Sequence, residues 1–363
     1  MAWVKPQYSR TEINAAGDEL IAESPADVPL EQLLRGIEDL HRALKAINNW
    51  RSSHGYPLQC LKMTLKTRAK KVSRDAIVAQ RIKRLSSIEA KLKRWNGMQL
   101  ARMHDIGGCR AIMRTVQQVQ KLKRLYEDSR SKNPHRGAEF VKEYDYIANP
   151  KEDGYRGVHL VYKYRSSSRK KQAYNGLRIE IQLRSQLQHA WATAVETVSM
   201  FTGQALKSNV GDESWKRFFA VASAALAKRE NQPTVPGTPA DGTVLLNELR
   251  DLYNVLQVET VLSGWGSAVE NLTGAPGAHT YLLLLDTTAK TIAVTGFQEA
   301  ELPSASDAYL AAERAAREKP DKQVVLVSVD TLAGLRRAYP NYFLDTAAFI
   351  EAVKQAIAGT GSV

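Results

Sequence analysis

Only two cysteines, Cys60 and Cys109, occur among 363 residues, and neither stands in a metal-ligand or redox spacing. Disulfide scaffolds and cysteine-rich structural zinc sites are thereby excluded, and both thiols are expected to be free in a reducing cytoplasm. Long apolar runs are missing as well. The most aliphatic patch, around Leu282 to Leu285, is far too short to cross a bilayer. No apolar stretch follows a basic start, so no signal peptide is expected, and there is no internal repeat or low-complexity tract. Acidic residues are scarce in the first part: residues 1–230 hold 42 Lys/Arg against 23 Asp/Glu, whereas residues 231–363 hold nine against fifteen. A basic body suits a polyanion such as nucleic acid or nucleotides, and an acidic tail could dock on that body in competition with it.

The chain is long enough for two domains with separate cores, and 44% hydrophobic with 25% charged residues is ordinary for a globular protein. Residues 231–242 contain three prolines and two glycines and read as a linker between a domain at 1–230 and a second at 243–363. Leu30, Leu33, Leu34, Ile37, Leu40, Leu44 and Ile47 keep helical spacing, as do Ile82, Leu85, Ile88 and Leu92 within a basic stretch at 62–96. Strands are expected at Ile106–Val116, Gly157–Tyr164 and 177–184, and helices at Val119–Asp128, Gln186–Phe201 and Trp215–Arg229. The tail reads as a helix at Val244–Val258, strands at Thr280–Asp286 and Thr291–Thr295, a helix at Ser306–Glu318, a strand at Gln323–Val329 and short helices near Thr331–Arg337 and Thr346–Ala358. The fold class is α+β, a small mixed sheet flanked by helices.

Chemistry concentrates in four places. At 177–184, Leu177, Ile179, Ile181 and Leu183 alternate with Arg178, Glu180, Gln182 and Arg184, so a strand buries one face and lines up cation, anion, amide and cation on the other. A solvated sheet face can look the same. A second polar strand entrance, Arg102–Arg110, adds Asp105 to Glu180 and supplies more guanidinium groups, the kit for a magnesium-bound polyphosphate. The run Arg81-Ile82-Lys83-Arg84-Leu85-Ser86-Ser87-Ile88, with Lys91 and Arg94, could present cations on a helix face to a triphosphate. The glycine-bracketed loop from Asn149 to His159 carries Tyr155, expected at an exposed tip where a base could stack. His104-Asp105 is not a phosphohydrolase signature, because the remaining histidines show no supporting spacing.

These motifs occur in the order found in RelA/SpoT-type alarmone synthetases, which residues 60–200 resemble: Arg81-x-Lys83 with Ser87-Ile88, Asp105-Ile-Gly-Gly-Cys-Arg110, Gly154-Tyr155-Arg156-Gly-Val-His159 and Glu180-Ile-Gln182-Leu-Arg184. The resemblance implies a nucleotidyltransferase-type sheet flanked by helices and transfer of pyrophosphate from ATP to a ribose 3′-hydroxyl. It further implies that Arg81 and Arg110 sandwich adenine, Lys83 and Ser87 hold phosphates, and Asp105 and Glu180 bind Mg2+. Tyr155 would stack on the acceptor base with His159, Gln182, Lys151 and Arg184 around it, and Glu180 would orient or deprotonate the attacking hydroxyl. Two departures are Gly157 where synthetases usually have serine, and Ile-Gly-Gly-Cys after Asp105 where Ile-Ala-Gly-Ile is commoner.

Residues 280–350 resemble the C-terminal pseudo-zinc-finger domain of CapRel-type fused toxin–antitoxins, including Tyr339-Pro-Asn-Tyr342. That resemblance implies a toxin that pyrophosphorylates the 3′-CCA end of tRNA. It also implies restraint by Tyr339 and Tyr342 in the adenine pocket and release by a phage protein such as the major capsid protein. Lys66, Arg68, Lys70, Lys71 and Arg114 are then candidates for tRNA contact, together with Arg74, Lys121, Lys123 and Arg124. A location in the cytoplasm and no membrane partner are the accompanying expectations, and the sequence leaves monomer and dimer both open. Two other readings stand beside it: a synthetase of guanosine tetra- or pentaphosphate regulated by its tail, and a catalytically dead nucleic-acid sensor.

Overall fold

The computed structural model describes residues 3–22, 30–132, 137–201, 213–265, 269–274, 277–316, 319, 321–329, 331–343 and 345–359. Helices α1 (Arg10–Ile21), α2 (Leu30–Ser53) and α3 (Gly55–Val72) precede strand β1 (Ile77–Ile82). There follow α4 (Leu85–Arg94), β2 (Gly107–Met113), α5 (Val116–Lys132), β3 (Ala138–Asp145), β4 (Val158–Tyr164), β5 (Arg178–Ser185), α6 (Gln186–Phe201) and α7 (Glu213–Arg229). The C-terminal segment adds α8 (Gly242–Val255), α9 (Val258–Trp265), β6 (Val269–Gly274), β7 (Thr280–Asp286), β8 (Thr291–Phe297), α10 (Leu302–Ala316), β9 (Lys322–Ser328), α11 (Leu332–Ala338) and α12 (Ala347–Ile357). The fold is mixed α+β.

The nine strands of the described residues form one sheet, ordered β3-β4-β5-β2-β1-β9-β7-β8-β6. The β2–β5 pair is parallel and sits between antiparallel neighbours. Period-two alternation gives the sheet two faces. On one, Cys109, Ala111, Ile179, Ile181 and Leu183 pack with Leu58, Leu61 and Leu65 of α3 and Val119 and Leu122 of α5. On the other lie Arg81, Arg110, Glu180, Gln182 and Arg184, since Arg81 pairs with Gly108, Glu180 with Gly108, and Gln182 with Arg110. At Gly107, which opens β2, a Cβ would stand 2.8 Å from Ile179 Cδ1 and would have to push that methyl aside.

The alternating strand at 177–184 behaves as its pattern requires, with Leu177, Ile179, Ile181 and Leu183 all buried. Other expectations shift. Arg81 and Ile82 lie on β1, a strand, and the helix begins only at Leu85, so Arg81 and Lys83 do not share a helix face with Lys91 and Arg94. Pairing with β2 on one side and β9 on the other fixes this extended conformation. His104 and Asp105 stand in the loop before β2 rather than on it. The single helix expected at Val244–Val258 is two, because Gln257 takes a left-handed conformation (φ 46°) that no helix continues through. The end of the expected Ser306–Glu318 helix, and the side chains of Leu30, Leu33 and Leu34, lie outside the described residues.

The proline-rich stretch at 231–242 is tied down along its length. Val235 is buried, Arg217 Nη1 donates to Gly237 O (2.7 Å) and Lys228 Nζ to Ala240 O (2.7 Å). Asp241 then caps α8 through the amides of Thr243 and Val244. Beyond it, α12 packs Phe349 and Val353 into the aromatic core formed by Trp191, Phe218 and Phe219 of α6 and α7. Among the described residues no helix is long and apolar enough to cross a membrane.

Candidate active site

Five side chains on the polar face close a hydrogen-bonded ring. Arg184 Nη2 donates to the Tyr155 hydroxyl (2.9 Å) and to Gln182 Oε1 (2.9 Å). Gln182 Nε2 donates to Glu180 Oε2 (2.7 Å), while Glu180 Oε1 lies 2.9 Å from His159 Nδ1 and His159 Nε2 lies 2.5 Å from the Tyr155 hydroxyl. The backbone explains the closure: 180, 182 and 184 alternate along β5, and His159 of β4 is directly opposite Gln182. Gly154, at φ +89°, has Phe219 O, Ser223 Cβ and Trp191 each 3.0 Å from where a Cβ would be, so it alone lets the chain deliver Tyr155 there. Tyr155 is half-buried with its hydroxyl inside the ring rather than standing at an exposed tip.

The ring is strongly charged. Burial opposes ionisation of Glu180, but the His159 charge outweighs it and holds the carboxyl down at about 2. Burial likewise opposes the His159 imidazolium, but Tyr155 and Glu180 stabilise it and raise its pKa to about 9. Burial raises the Tyr155 phenol, and Arg184 and His159 more than reverse that.

A second cluster surrounds Asp105. Its Oδ2 accepts from Lys83 Nζ (2.8 Å) and its Oδ1 from Lys91 Nζ (2.9 Å). Burial would raise this carboxyl, yet the two lysines outweigh it and keep it well below the usual carboxylate range. The Asp105 charge opposes the ionisation of Glu180. Two carboxylates supply the oxygen ligands that suit a hard divalent cation keeping waters and phosphate oxygens as its other ligands. Among the described residues no group of three or more His, Cys, Asp and Glu forms a metal cage.

Arg110 and Arg81 share this face, and the C-terminal segment reaches them. Arg110 Cζ lies 4.3 Å from the centre of the Tyr339 ring, and both residues are buried. Burial depresses the Arg110 guanidinium to about 10 even though Tyr339 favours its charge. Tyr342, also buried, lies 6.4 Å from Tyr339 ring to ring and belongs to a core shared with Ala79 of β1 and Ile112 of β2. His189 Nε2 on α6 lies 3.2 Å from Arg337 O at the end of α11.

Ser87 is half-buried in the first turn of α4, and exposed Lys151 has its ammonium 5.4 Å from the Tyr155 ring centre and 4.6 Å from that of Tyr146. The structure does not bring the five proposed tRNA contacts to this face. Lys66, Arg68, Lys70 and Lys71 are on α3, across the sheet. There Arg68 stacks on Tyr126 (4.2 Å) and donates to Ser129 Oγ (2.7 Å), and Lys70 bonds to Arg74 O. Lys66 lines a cavity of about 700 Å3 between α3 and α10, and Arg114 is exposed beyond the end of β2. Lys91, expected as a cation facing a triphosphate, holds Asp105. Its spacing one turn after Ser87 was the available signal. A buried pair also supports the loop: Arg156 Nη1 to Glu230 Oε2 at 3.1 Å, with Ser185 bonded to the same carboxylate. Nothing in the sequence links Arg156 to Glu230.

Residues 80–202 match the family described as the region found in RelA / SpoT proteins. This stretch is similar to the region found in RelA / SpoT proteins. It holds Arg81, Lys83, Asp105, Arg110, Tyr155, His159 and Glu180 together. Among curated proteins no sequence matches the chain. Solved structures that it resembles include small alarmone synthetase 1 from Bacillus subtilis bound to its product pppGpp, with 26% identity over 48% of this chain and 87% of that one at a TM-score of 0.39. Small alarmone synthetase 2 from Bacillus subtilis matches at 20% identity, covering 49% and 90%, with a TM-score of 0.40. A GTP pyrophosphokinase family protein from Streptococcus pneumoniae matches at 19%, covering 56% and 92%, with a TM-score of 0.37.

Proposed function

We propose that the chain is an ATP-dependent pyrophosphokinase toxin, held shut by its own C-terminal segment, whose acceptor is the 3′-CCA end of tRNA. The observation that carries this reading is Tyr339 seated on Arg110, on the same sheet face as the Asp105 cluster and the five-membered ring. In the open enzyme Arg81 and Arg110 would take adenine between them, a role for which guanidinium planes are suited. Lys83 and Lys91 would turn from Asp105 to the transferring phosphates, with Ser87 in the adjoining turn. Asp105 and Glu180 would hold Mg2+, which when bound supplies charge neutralisation at those phosphates.

Tyr155 would stack on the acceptor base, with Gln182, Arg184 and Lys151 bordering it. Glu180 is ionised at neutral pH, so it accepts a hydrogen bond from the attacking 3′-hydroxyl and orients it. Its low pKa makes it a weak base. The attack forms a bond from that oxygen to the β-phosphorus and breaks the bond to the α-phosphate, releasing AMP, while the hydroxyl proton passes to water. Catalysis is then positioning and electrostatics. The excess of basic residues before residue 231 favours a large polyanion as acceptor over a free nucleotide, and counterion release would supply much of its affinity. A phage protein, such as the major capsid protein, would open the enzyme in the cytoplasm by binding the C-terminal segment.

The test is incubation with ATP labelled at its β- and γ-phosphates and either tRNA or GDP/GTP, with and without phage capsid protein. Label on tRNA that appears with the trigger supports the reading. Label on guanine nucleotide with tRNA untouched replaces it with alarmone synthesis.

A further inference from the structure

The aromatic, charged run from Val141 to Ile147 borders the site without belonging to it. Tyr144 of β3 faces the catalytic side of the sheet, since it pairs with His159 of β4, which in turn pairs with Gln182 of β5. Lys142, two residues earlier, shares that face. Glu143 and Asp145 alternate to the other face. There Lys123 Nζ of α5 lies 2.8 Å from Glu143 Oε1 and 2.7 Å from Asp145 Oδ2. The second Asp145 oxygen accepts from the amides of Ile147 and Ala148, both at 3.0 Å. That turn carries Tyr146 back toward Tyr155.

The outcome is a row of three tyrosines leading away from the ring of five side chains. Tyr155 and Tyr146 have ring centres 5.7 Å apart, and Tyr146 also meets the His159 ring at 5.4 Å. Tyr146 and Tyr144 follow at 5.8 Å, nearly parallel at 11°. Both are half-buried, and each has an exposed lysine over its ring: Lys151 Nζ 4.6 Å from the centre of Tyr146, Lys142 Nζ 4.7 Å from that of Tyr144. Tyrosines that only pack a core need no ammonium on their faces. An exposed ammonium over a ring is weakly held, whereas a nucleobase stacked on the ring gains more. A base can therefore take the ring face while the lysine turns to the phosphate beside it. The acidic residues of the run, which would repel that phosphate, are turned away and neutralised by Lys123.

We propose that Tyr146 and Tyr144, with Lys151 and Lys142, form a stacking platform for the unpaired nucleotides that precede the acceptor nucleotide of a single-stranded RNA 3′ end. A polynucleotide uses the whole row, and a free mononucleotide uses only its Tyr155 end. This deepens the reading of the tRNA 3′ end as acceptor and rests on it. It also gives the catalytic face RNA contacts of its own, which the lysines and arginine of α3 do not. The strand β3 is the outermost one at the end of the sheet away from β6 to β9, so the platform is probed with the C-terminal segment docked.

Calorimetry on the full-length protein, with the RNA trinucleotide CCA and with AMP as probes, tests this. Tyr144→Ala and Tyr146→Ala are each expected to weaken CCA about tenfold, the worth of one stacked base, and to leave AMP unchanged. Tyr144→Phe and Tyr146→Phe should bind CCA as wild type does, because stacking needs the ring and not the hydroxyl. Lys142→Gln should lower the slope of log affinity for CCA against log salt by about 0.7. CCA bound no more tightly than AMP by wild type overturns the proposal. Equal losses for CCA and AMP in the alanine variants also overturn it, because the tyrosines then only prop Tyr155. Losses that phenylalanine does not repair overturn it too. The acceptor reading fails separately. The expected binding pattern, with label from ATP found on guanine nucleotide alone, supports the platform as an RNA surface and removes tRNA from the chemistry. Undiminished labelling of limiting tRNA by the double alanine variant overturns the platform and leaves tRNA as acceptor. Tyr146→Leu repeats the test if Tyr146→Ala does not fold.

Discussion

Tyr339 and Arg110 meet ring to guanidinium at 4.3 Å in a part of the molecule from which water is excluded. Replacing Tyr339 by alanine removes a buried ring and leaves the Arg110 charge facing a void. The expected loss is about 3 kcal/mol of folding stability, measured by urea unfolding. The same change should expose the proposed adenine pocket, so that expression of Tyr339→Ala arrests growth without any trigger. Tyr342→Ala, which withdraws the neighbour supporting that ring, should act in the same direction. Silent expression of both variants would remove internal inhibition from the functional reading.

Asp105 neutralises two ammonium groups at once. Asp105→Asn leaves Lys83 and Lys91 converging on an amide, and transfer of label from ATP should fall at least about 100-fold, roughly 3 kcal/mol in the barrier. Activity within threefold of wild type would show that Asp105 is only a structural partner of the lysines.

The Arg156–Glu230 pair is almost completely shielded, with side chains 1% and 2% exposed. Glu230→Gln strands a buried guanidinium beside Tyr155, at an expected cost of about 3 kcal/mol. Replacing both members together by apolar residues, Arg156→Met with Glu230→Leu, should recover much of that loss. Denaturant midpoints for the single and double variants decide it.

His54 gives a pH dependence that belongs to folding rather than catalysis. Burial pushes its imidazole from 6.5 down to about 4, against the hydrogen bond to Trp50 O at 2.7 Å. The unfolded chain takes up a proton below 6.5, and the folded chain does so only near 4. Stability from this group is therefore complete above pH 6.5 and is lost as the pH falls toward 4, by about 3 kcal/mol. His54→Gln should flatten that part of the profile in unfolding experiments from pH 7 to pH 4.5.

How much was readable in advance depended on whether a residue's fate is decided locally. The alternation in β5 named the residues that the strand buries and the ones it presents, because period two needs no partner to be recognised. Asp105 and Glu180 could be paired as chemistry before they were paired in space. The strand β1 was hidden, since Ile82, Leu85, Ile88 and Leu92 keep helical spacing across the break at residues 83 and 84, and only the neighbours β2 and β9 decide the matter. Tyr155 was misjudged because its orientation is set by Arg184 and His159, which approach it from other strands. Arg51 and Glu313 meet across most of the chain, and no local pattern marks such a contact.

The junction between β1 and β9 consists of two residue pairs, Gln80 with Ser328 and Arg81 with Val327, whereas β7 and β9 share seven. The sheet is therefore thinnest where the C-terminal segment joins it, and parting there breaks few backbone hydrogen bonds. Parting also bares two strand edges whose amides and carbonyls are ready to pair with any extended chain. A molecule opened along this line would be adhesive, so its lifetime in solution is set by how soon another strand, its own or a stranger's, closes the gap.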